Sequence, residues 1–195
     1  MAAGRPRQFD LEDVMARAET LFWARGYEGA TMAALSAATG LKPGSIYAAF
    51  GSKAELFEQV VEHYQRKVTT AYVADAVDSD SLQALTKRWL TGVAHFATGS
   101  ATPPGCLLVH SALVTGVDGD PAQAVVRARR RAAEQMLIDR IEELSDTLPP
   151  GIAPELVVRY IATMAEGIAV EAALGVPRAQ LLDLVEMVCA RLPWS

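Results

Sequence analysis

The sequence predicts an all-α fold of about nine helices, with a short amino-terminal three-helix unit ahead of a larger helical region. Apolar residues recur at steps of three and four along most of the 195 residues, as they do on one face of a helix. The apolar-polar alternation that is typical of a strand is missing. Capping residues precede several of these stretches, and glycine or proline separates them. These three observations together predict a protein built from helices alone.

The first helix is predicted over residues 10–25. Asp10 is a good amino-terminal cap, and Gly26 can take the left-handed backbone that ends a helix. A single apolar face is formed by Leu11, Val14, Met15, Ala18, Leu21 and Phe22. Residues 1–8 contain Gly4 and Pro6 with basic side chains, so we expect them to be a flexible arm.

Residues 31–50 predict two short helices joined by a tight turn. Thr31 can cap the first helix, and Gly40 allows the left-handed backbone that ends it. Pro43 suits the start of the second helix, in which Ile46 and Phe50 form the buried stripe. The exposed face is left with small or hydroxyl-bearing residues: Pro43, Gly44, Ser45, Tyr47, Ala48 and Ala49. Such a face suits a helix that enters a DNA groove about 12 Å wide.

The remaining helices follow from the positions of breaks and stripes. Ser52 can cap a long helix that begins near Lys53 and carries Leu56, Val60, Tyr64 and Val68 on one side. Further helices are predicted over residues 82–96, 106–114, 122–148, 154–174 and 177–192. The breaks between them are polar or rich in glycine and proline.

The block of residues 18–57 resembles the amino-terminal domain of the TetR (tetracycline-repressor) family of bacterial regulators. The matching residues are Leu21, Phe22, Gly26, Tyr27, Thr31, Leu35, Gly40, Leu41, Gly44, Ile46, Tyr47, Phe50, Lys53, Leu56 and Phe57. The chain departs from the family pattern at Ala48 and Ala49, where an aromatic residue and a histidine are frequent, and at Ser36, where alanine is common. The resemblance implies a DNA-binding helix-turn-helix domain, which we place at residues 1–52, and an effector-binding and dimerisation domain at residues 53–195.

The resemblance also implies which residues contact DNA. It makes Tyr47 and Lys53 phosphate contacts, although Tyr47 could instead close the domain core and Lys53 could be a solvated surface residue. Thr31 caps a helix whose amino terminus can hold a phosphate, and Arg5 and Arg7 could enter the minor groove. Base reading is expected from Lys42, Pro43, Gly44, Ser45 and Ala49. Only Lys42 and Ser45 among these have hydrogen-bonding side chains, so thymine methyl contacts and DNA shape should carry much of the specificity.

Charge and composition agree with an intracellular DNA-binding protein. The net charge is −5, yet residues 1–53 carry +1 and the rest carries −6, which keeps acid away from the expected DNA face. No run of about 18 apolar residues and no secretion leader is seen, so we expect a cytoplasmic protein without a membrane partner. Two cysteines make no disulfide framework and should be free thiols.

The last two helices predict a homodimer. The first is rich in small apolar residues, which let helices approach closely, and two helices from each of two subunits would form a four-helix bundle. We expect Ala169 and Val185 at the seam; completion of the core of a single subunit is the alternative. A two-fold dimer would present two recognition helices to the halves of a palindromic operator.

The effector site is predicted from residues on apolar helix faces around a central cavity: Trp89, Phe96, Cys106, Leu107, His110, Met136 and Met164. The expected effector is a small apolar or aromatic molecule. A thiol-responsive repressor is the alternative, because Cys106 begins a helix, and so is a metal-responsive one, because Cys106 and His110 have i,i+4 spacing. The arginine run at residues 127–131 is expected to form a solvated face, with Arg130 paired to Glu134.

The motifs that would indicate an enzyme are missing from the sequence, including H-E-x-x-H, a phosphate loop and G-x-S-x-G. We therefore expect no catalysis, no cofactor and no resident metal. A helical adaptor without DNA binding is a remote alternative. The sequence predicts a ligand-responsive repressor that binds double-stranded operator DNA as a homodimer and that a small effector releases.

Overall fold

The protein is all-α in the part of the chain that its computed structural model describes, which is residues 10–114, 121–144, 146, 148, 150–192 and 194. The helices are α1 (Leu11–Gly29), α2 (Met32–Thr39), α3 (Pro43–Phe50), α4 (Lys53–Val68), α5 (Ala74–Val77), α6 (Leu82–Ala97), α7 (Leu107–Val114), α8 (Pro121–Glu143), α9 (Pro154–Ala173) and α10 (Arg178–Cys189). A π-helical turn, Thr69–Val73, joins α4 to α5 without a break. Within the described ranges the chain therefore forms nine continuous helices, as the sequence predicted.

Side-chain caps fix where the early helices begin. Asp10, Thr31, Ser52 and Ser81 each accept a hydrogen bond from a backbone N–H in the first turn of α1, α2, α4 and α6. Such a cap contributes about 1 kcal/mol to stability. Ser52 also forms a capping box, because Glu55 accepts a hydrogen bond from the Ser52 N–H at 2.6 Å. All of these starts lie where the sequence predicted them.

Two predicted helix ends are wrong. The helix predicted over residues 122–148 ends at Glu143, since the Leu144 N–H turns back to the carbonyls of both Arg140 and Ile141 and tightens the last turn. The final helix ends at Cys189, three residues before the predicted position. Gly26 does interrupt the first helix, with φ of 67°, but helical turns resume after this kink and α1 extends to Gly29.

Within the described residues, the buried apolar side chains form two cores. The amino-terminal core joins α1–α4 and includes Phe22, Leu35, Ile46 and Phe57. It is completed by Leu107, Ala122 and Val126. The carboxy-terminal core joins α6, α8, α9 and α10 and includes Leu85, Leu90, Ile141, Ile161 and Leu181. Val68, at the end of α4, packs against both, so α4 links the two cores.

A buried carboxylate holds α1 against α4. The side chain of Glu19, only 3% exposed, accepts from His63 Nδ1 at 2.7 Å and from Lys67 Nζ at 3.0 Å. His63 Nε2 lies 3.0 Å from Glu12, whose side chain is 77% exposed. His63 therefore lies between two carboxylates, one buried and one exposed. The charge of Glu19 is thus compensated inside the protein rather than by water.

The predicted dimer seam needs correction. Ala169 and Val185 are buried within the protomer, at 3% and 1% exposure, because α9 and α10 use these faces to pack against the rest of their own chain. A different face of α9 is uncovered. The 4-3-4-3-4 spacing of a helix-packing seam is followed by Leu156, Tyr160, Thr163, Gly167, Val170 and Leu174, the last directly after α9. All of these are exposed except Tyr160, which is half-buried against Trp194.

None of the helices in the described ranges combines the length and the apolar character that crossing a membrane would need.

Replacing Glu19 with Gln should lower the free energy of unfolding by at least about 2 kcal/mol. The substitution removes a buried carboxylate charge that Lys67 and His63 contact, and breaking a buried pair costs about 3–5 kcal/mol when both partners are fully enclosed. Lys67 is partly exposed, which reduces the effect. The measurement is urea unfolding at one fixed protein concentration.

Glu12→Gln is the matched control, because Glu12 also contacts His63 but stands in solvent. It should cost less than about 1 kcal/mol. Equal losses for the two variants would show that burial of Glu19 is not what makes the contact strong.

Candidate DNA-binding surface and effector cavity

The turn between α2 and α3 is held by side-chain hydrogen bonds. Gly40 adopts φ of 73°, which ends α2. Ser36 Oγ donates to the Leu41 carbonyl at 2.5 Å, and Thr39 Oγ1 donates to the Leu35 carbonyl at 2.7 Å while accepting from the Leu41 N–H. Ser36 is one of the positions where the chain departs from the family pattern, and its hydroxyl fixes the turn that the pattern requires.

Helix α3 buries one face and exposes the other. Ile46 and Phe50 pack into the amino-terminal core. Lys42, Pro43, Gly44, Ser45 and Tyr47 are exposed, and Ala49 is half-buried. Tyr47 is 49% exposed, so it does not close the core. A helix with this uncovered face can approach another surface closely, because most of its side chains are small.

Lys53 lies beside α3 and has a fixed position. Its ammonium Nζ stands 4.3 Å from the centroid of the Tyr27 ring, in a cation–π contact. The Tyr27 ring itself packs edge-on against Phe57. The charge of Lys53 is therefore held at the first turn of α4 instead of moving freely in solvent. Thr31 is exposed at the start of α2, where the free amides of the first turn favour an anion. Arg5 and Arg7 lie outside the described residues.

A cavity of about 150 Å³ lies between α4, α6, α7, α8 and α9. Its wall is mainly apolar and aromatic: Tyr64, Tyr72, Trp89, Val93, Phe96, Ala97, Gly105, Cys106, Leu108, Val109, Ala133, Leu137, Val158, Ala162, Ala165 and Ala169. Among the residues predicted for the effector site, Trp89, Phe96 and Cys106 line this cavity. The aromatic enclosure can take a small apolar or aromatic molecule.

Four other residues predicted for the effector site lie elsewhere. Leu107 is fully buried in the amino-terminal core, and Met164 packs against the carboxy-terminal core. Met136 is 37% exposed on the surface of α8. His110 is half-buried on α7 and does not line the cavity. Within the described part of the chain, no three His, Cys, Asp or Glu side chains come together in a way that could hold a metal ion.

The arginine run on α8 is not simply a solvated face, which corrects the sequence prediction. Arg129 and Arg130 line the cavity together with Glu134 and Glu166. Arg130 pairs with Glu166 of α9 rather than with Glu134 of its own helix. Glu134 pairs with Arg159 of α9, at 3.3 Å. The helices pack closely enough here for ion pairs between them to replace the expected pair along one helix.

The π-helical turn brings a second tyrosine to the cavity, which the sequence analysis missed. In an unbroken α-helix the residue seven positions after Tyr64, Ala71, would share its face. The wider π-helical turn accommodates one extra residue, so Tyr72 takes that direction instead. Gly92, which faces this turn, is the sequence feature that could have indicated the close approach. A Cβ on Gly92 would lie 2.2 Å from the Tyr72 Cβ, so only glycine allows α6 to approach.

Aromatic side chains connect the cavity to the amino-terminal core. Tyr64 packs edge-on against Trp23 of α1, with ring centroids 5.2 Å apart, and against Phe96 of α6 at 5.7 Å. Tyr72 packs against Phe96 and Trp89 at 6.2 and 5.7 Å. Such contacts have preferred geometries, so a displaced ring disturbs its neighbours. Tyr64 thus contacts the cavity and α1 at once.

Cys106 lies among the two tyrosines. The Tyr64 hydroxyl donates to Cys106 Sγ at 3.3 Å. Burial raises the pKa of Tyr64, and the neighbouring Cys106 raises it further. The pKa of Tyr72 is also raised, first by burial and then by Cys106. Both phenols therefore remain protonated and able to donate a hydrogen bond at neutral pH.

The sequence and the fold of this chain match those of a known protein family. Residues 14–60 match the family described as "Bacterial regulatory proteins, tetR family". The chain is similar to the TetR family transcriptional regulator CifR, solved with a 26-base-pair double-strand operator DNA. The two are 33% identical, with a TM-score of 0.87, over 97% of this chain and 100% of that one.

Two repressors of Escherichia coli (strain K12) are also similar. The HTH-type transcriptional repressor ComR is 25% identical over 186 residues, which cover 93% of this chain and 88% of ComR. The HTH-type transcriptional repressor BdcR is 43% identical over 61 residues, or 31% of each chain. The ComR match extends well beyond the helix-turn-helix.

Replacing Gly92 with Ala should destabilise the protein by about 1–3 kcal/mol, the usual cost of an overpacked contact. The added methyl would collide with the first side-chain carbon of Tyr72, which cannot move without the backbone of the π-helical turn. Thermal unfolding measures the loss. Gly44→Ala is the control, because a Cβ there meets nothing within 4 Å and alanine favours a helix. If both variants melted like the parent, the close approach of α6 to the π-helical turn would be disproved.

Proposed function

The chain belongs to the TetR family of bacterial transcriptional regulators, and from that premise we propose that it represses transcription by binding a palindromic operator as a homodimer. A small apolar or aromatic effector releases it. The observation that carries the proposal is the exposed face of α3, with small side chains mounted on a buried stripe and a fixed lysine beside it. Operator DNA bound to CifR supports it. Residues 1–52 bind DNA, and residues 53–195 bind effector and dimerise.

The DNA contacts divide into two kinds. Thr31, Tyr47 and Lys53 hold phosphates, and the basic arm at Arg5 and Arg7 follows the minor groove. The bases are read by Lys42 and Ser45 through hydrogen bonds, and by methylene or methyl surfaces of Pro43 and Ala49. Gly44 lets the backbone of α3 approach the groove, since nothing in the protein itself requires a glycine there.

The dimer forms through the uncovered stripe on α9. Leu156 and Leu174 are largely exposed at its ends, and a Cβ on Gly167 near its centre would meet nothing in the protomer. Met187 is exposed on the neighbouring α10. Large apolar residues around a small one allow a second α9 to pack closely, as in a four-helix bundle. Exposed apolar residues at seam spacing are what an interface between identical copies requires.

The effector acts by shifting the equilibrium between two conformations of the dimer. It binds in the aromatic cavity and favours the conformation in which the two recognition helices are wrongly spaced for the operator. Tyr64 transmits the change, because it lines the cavity and also packs against Trp23 of α1. No residue is assigned a catalytic role, and the protein acts in the cytoplasm, where its DNA is.

Lys53→Gln should weaken binding to operator and to random duplex by a similar factor. It should also reduce the slope of log affinity against log salt concentration by about 1, as the loss of one phosphate contact requires. Tyr47→Phe should weaken both without changing the slope, since a neutral hydroxyl releases no counterion. Fluorescence anisotropy across a salt series measures these effects. Lys87→Gln, on α6 and paired with Glu186, is the control and should bind like the parent. An unchanged salt slope for Lys53→Gln would contradict its assignment.

Val170→Glu should convert the dimer to monomer at micromolar concentration, because the variant places a charge in an apolar seam. Sedimentation velocity gives the state directly. Met136→Glu is a close control: both side chains are 37% exposed, but Met136 lies on α8, away from the stripe. That variant should remain a dimer. Dissociation of both variants, or of neither, would show that the interface lies elsewhere.

A further inference from the structure

We propose that the aromatic cavity takes an effector with a single carboxylate, which Arg129 binds while the apolar or aromatic body of the molecule fills the cavity. The regulatory consequence rests on the proposed function, whereas the binding itself depends on the cavity alone. The basis for this inference is an arginine that lines the cavity and has no acidic partner in the described part of the chain.

The charged and the aromatic residues of the cavity wall come from different helices. Among the described residues, the charged ones belong to α8 and α9: Arg129, Arg130, Glu134 and Glu166. The aromatic residues belong instead to α4, the π-helical turn and α6. A cavity built in this way offers apolar contact to the body of a ligand and a few polar groups that fix its orientation.

Arg129 is the charged residue of this wall that remains without a partner. Arg130 binds Glu166 across the contact between α8 and α9. Glu134 binds Arg159 of α9, at 3.3 Å. Arg129 makes no ion pair and no side-chain hydrogen bond with any residue in the described ranges. The wall therefore has one positive charge that the protein itself does not balance.

The position of Arg129 on α8 is one where an apolar residue would be expected. Val126 and Leu137 are buried, and steps of three and four residues lead from one to the other through Arg129 and Ala133. Arg129 is half-buried, whereas Arg131 is exposed and does not line the cavity. A cation on the inward face of a helix loses part of its hydration, and a bound anion compensates for that loss.

A carboxylate is the anion that fits this charge. The guanidinium of Arg129 is planar and presents paired N–H donors that match the two oxygens of a carboxylate. One arginine balances one negative charge, so a phosphate, which is close to doubly charged at neutral pH, would be only partly compensated. Tyr64 and Tyr72 add no negative charge near neutral pH, because burial raises the pKa of both phenols. The effector is therefore expected to be a monoanion.

The size of the cavity limits the body of the effector. Its volume is about 150 Å³, and an apolar cavity of about this size accepts a benzene molecule. Ala162 and Ala165 of α9 line it opposite no large side chain of their own helix turn, so their small size leaves room for a ring. We therefore expect an acid with one aromatic ring, or with an aliphatic chain of similar volume.

Arg129 also lies close to the amino-terminal core. Val126, one turn earlier on the same face of α8, packs in that core together with Ala122. This part of the molecule brings α8 into contact with α4 and α7. A carboxylate that fixes Arg129 at the cavity would therefore also restrict this turn of α8, and so favour one arrangement of the two cores over another.

The test compares an acid with its amide on intact full-length protein. Hydrocinnamate carries the carboxylate, and hydrocinnamamide has nearly the same shape without the charge. Isothermal titration calorimetry should show that the parent binds the acid at least about tenfold more tightly than the amide, as a hydrogen bond to a charged group provides. Arg129→Gln should remove this preference by weakening acid binding alone. Arg129→Lys keeps the charge but not the paired donors, so it should retain part of the preference.

Arg131→Gln is the matched control, because Arg131 lies on the same helix but is exposed and does not line the cavity. It should keep the preference of the parent. Equal affinity of the parent for acid and amide, or no binding of the acid at millimolar concentration, would overturn the proposal. So would retention of the preference in Arg129→Gln, or its loss in Arg131→Gln to the same extent.

Release of operator is measured separately, by anisotropy of a labelled duplex with the same two compounds. Release of the parent by the acid at lower concentration than by the amide, and loss of that difference in Arg129→Gln, would support the regulatory consequence. Binding of the acid without release would overturn that consequence and leave the assignment of Arg129 in place. Failure of the parent and every variant to bind any DNA would refute the proposed function, while calorimetry would still decide whether Arg129 binds a carboxylate.

Discussion

The buried carboxylate of Glu19 is the constraint on which the arrangement of the two ends of the molecule depends. Its bonds to His63 and Lys67 set α1 against α4 at a fixed rotation. A buried charge is tolerated only with its partners in place, so the contact is specific in a way that apolar packing is not. Because α4 continues through the π-helical turn into the carboxy-terminal core, this contact also helps to set how the aromatic cavity faces the amino-terminal core.

The second consequence of this geometry is a short physical connection between the cavity and α1. Tyr64 follows His63 directly in the sequence and points into the cavity, where its ring contacts Phe96 and its hydroxyl contacts Cys106. On its other side it contacts Trp23. A ligand that displaces the Tyr64 side chain alone would therefore change the packing of the amino-terminal core. We propose this contact as the link between effector binding and operator release; coupling measurements decide it.

Packing of the protomer determines which surface remains for a partner. Helices α9 and α10 pack their most regular apolar faces, which include Ala169 and Val185, into the core of their own chain. The face of α9 that contains Gly167 and Val170 is left uncovered. Both faces are apolar and have helical periodicity, so hydrophobic pattern alone does not distinguish core from interface. The distinction comes from where the neighbouring helices lie.

The sequence by itself determined the features that depend on local interactions. Helical periodicity, the caps at Asp10, Thr31 and Ser52, and the left-handed glycines act within one turn of chain, so they predicted the all-α fold and the start of each early helix. The exposed face of α3 follows for the same reason, since the buried positions of Ile46 and Phe50 fix the remaining ones.

Only the tertiary structure decided which distant residues meet. Met136 and Trp89 both lie on apolar stretches, but α8 turns Met136 outward and α6 turns Trp89 into the cavity. The pairing of Arg130 with Glu166, and the position that the π-helical turn gives Tyr72, depend on how closely whole helices approach. Those approaches are set by the summed packing of two cores. A local pattern carries no information about them, because the partners are separated by many turns of chain.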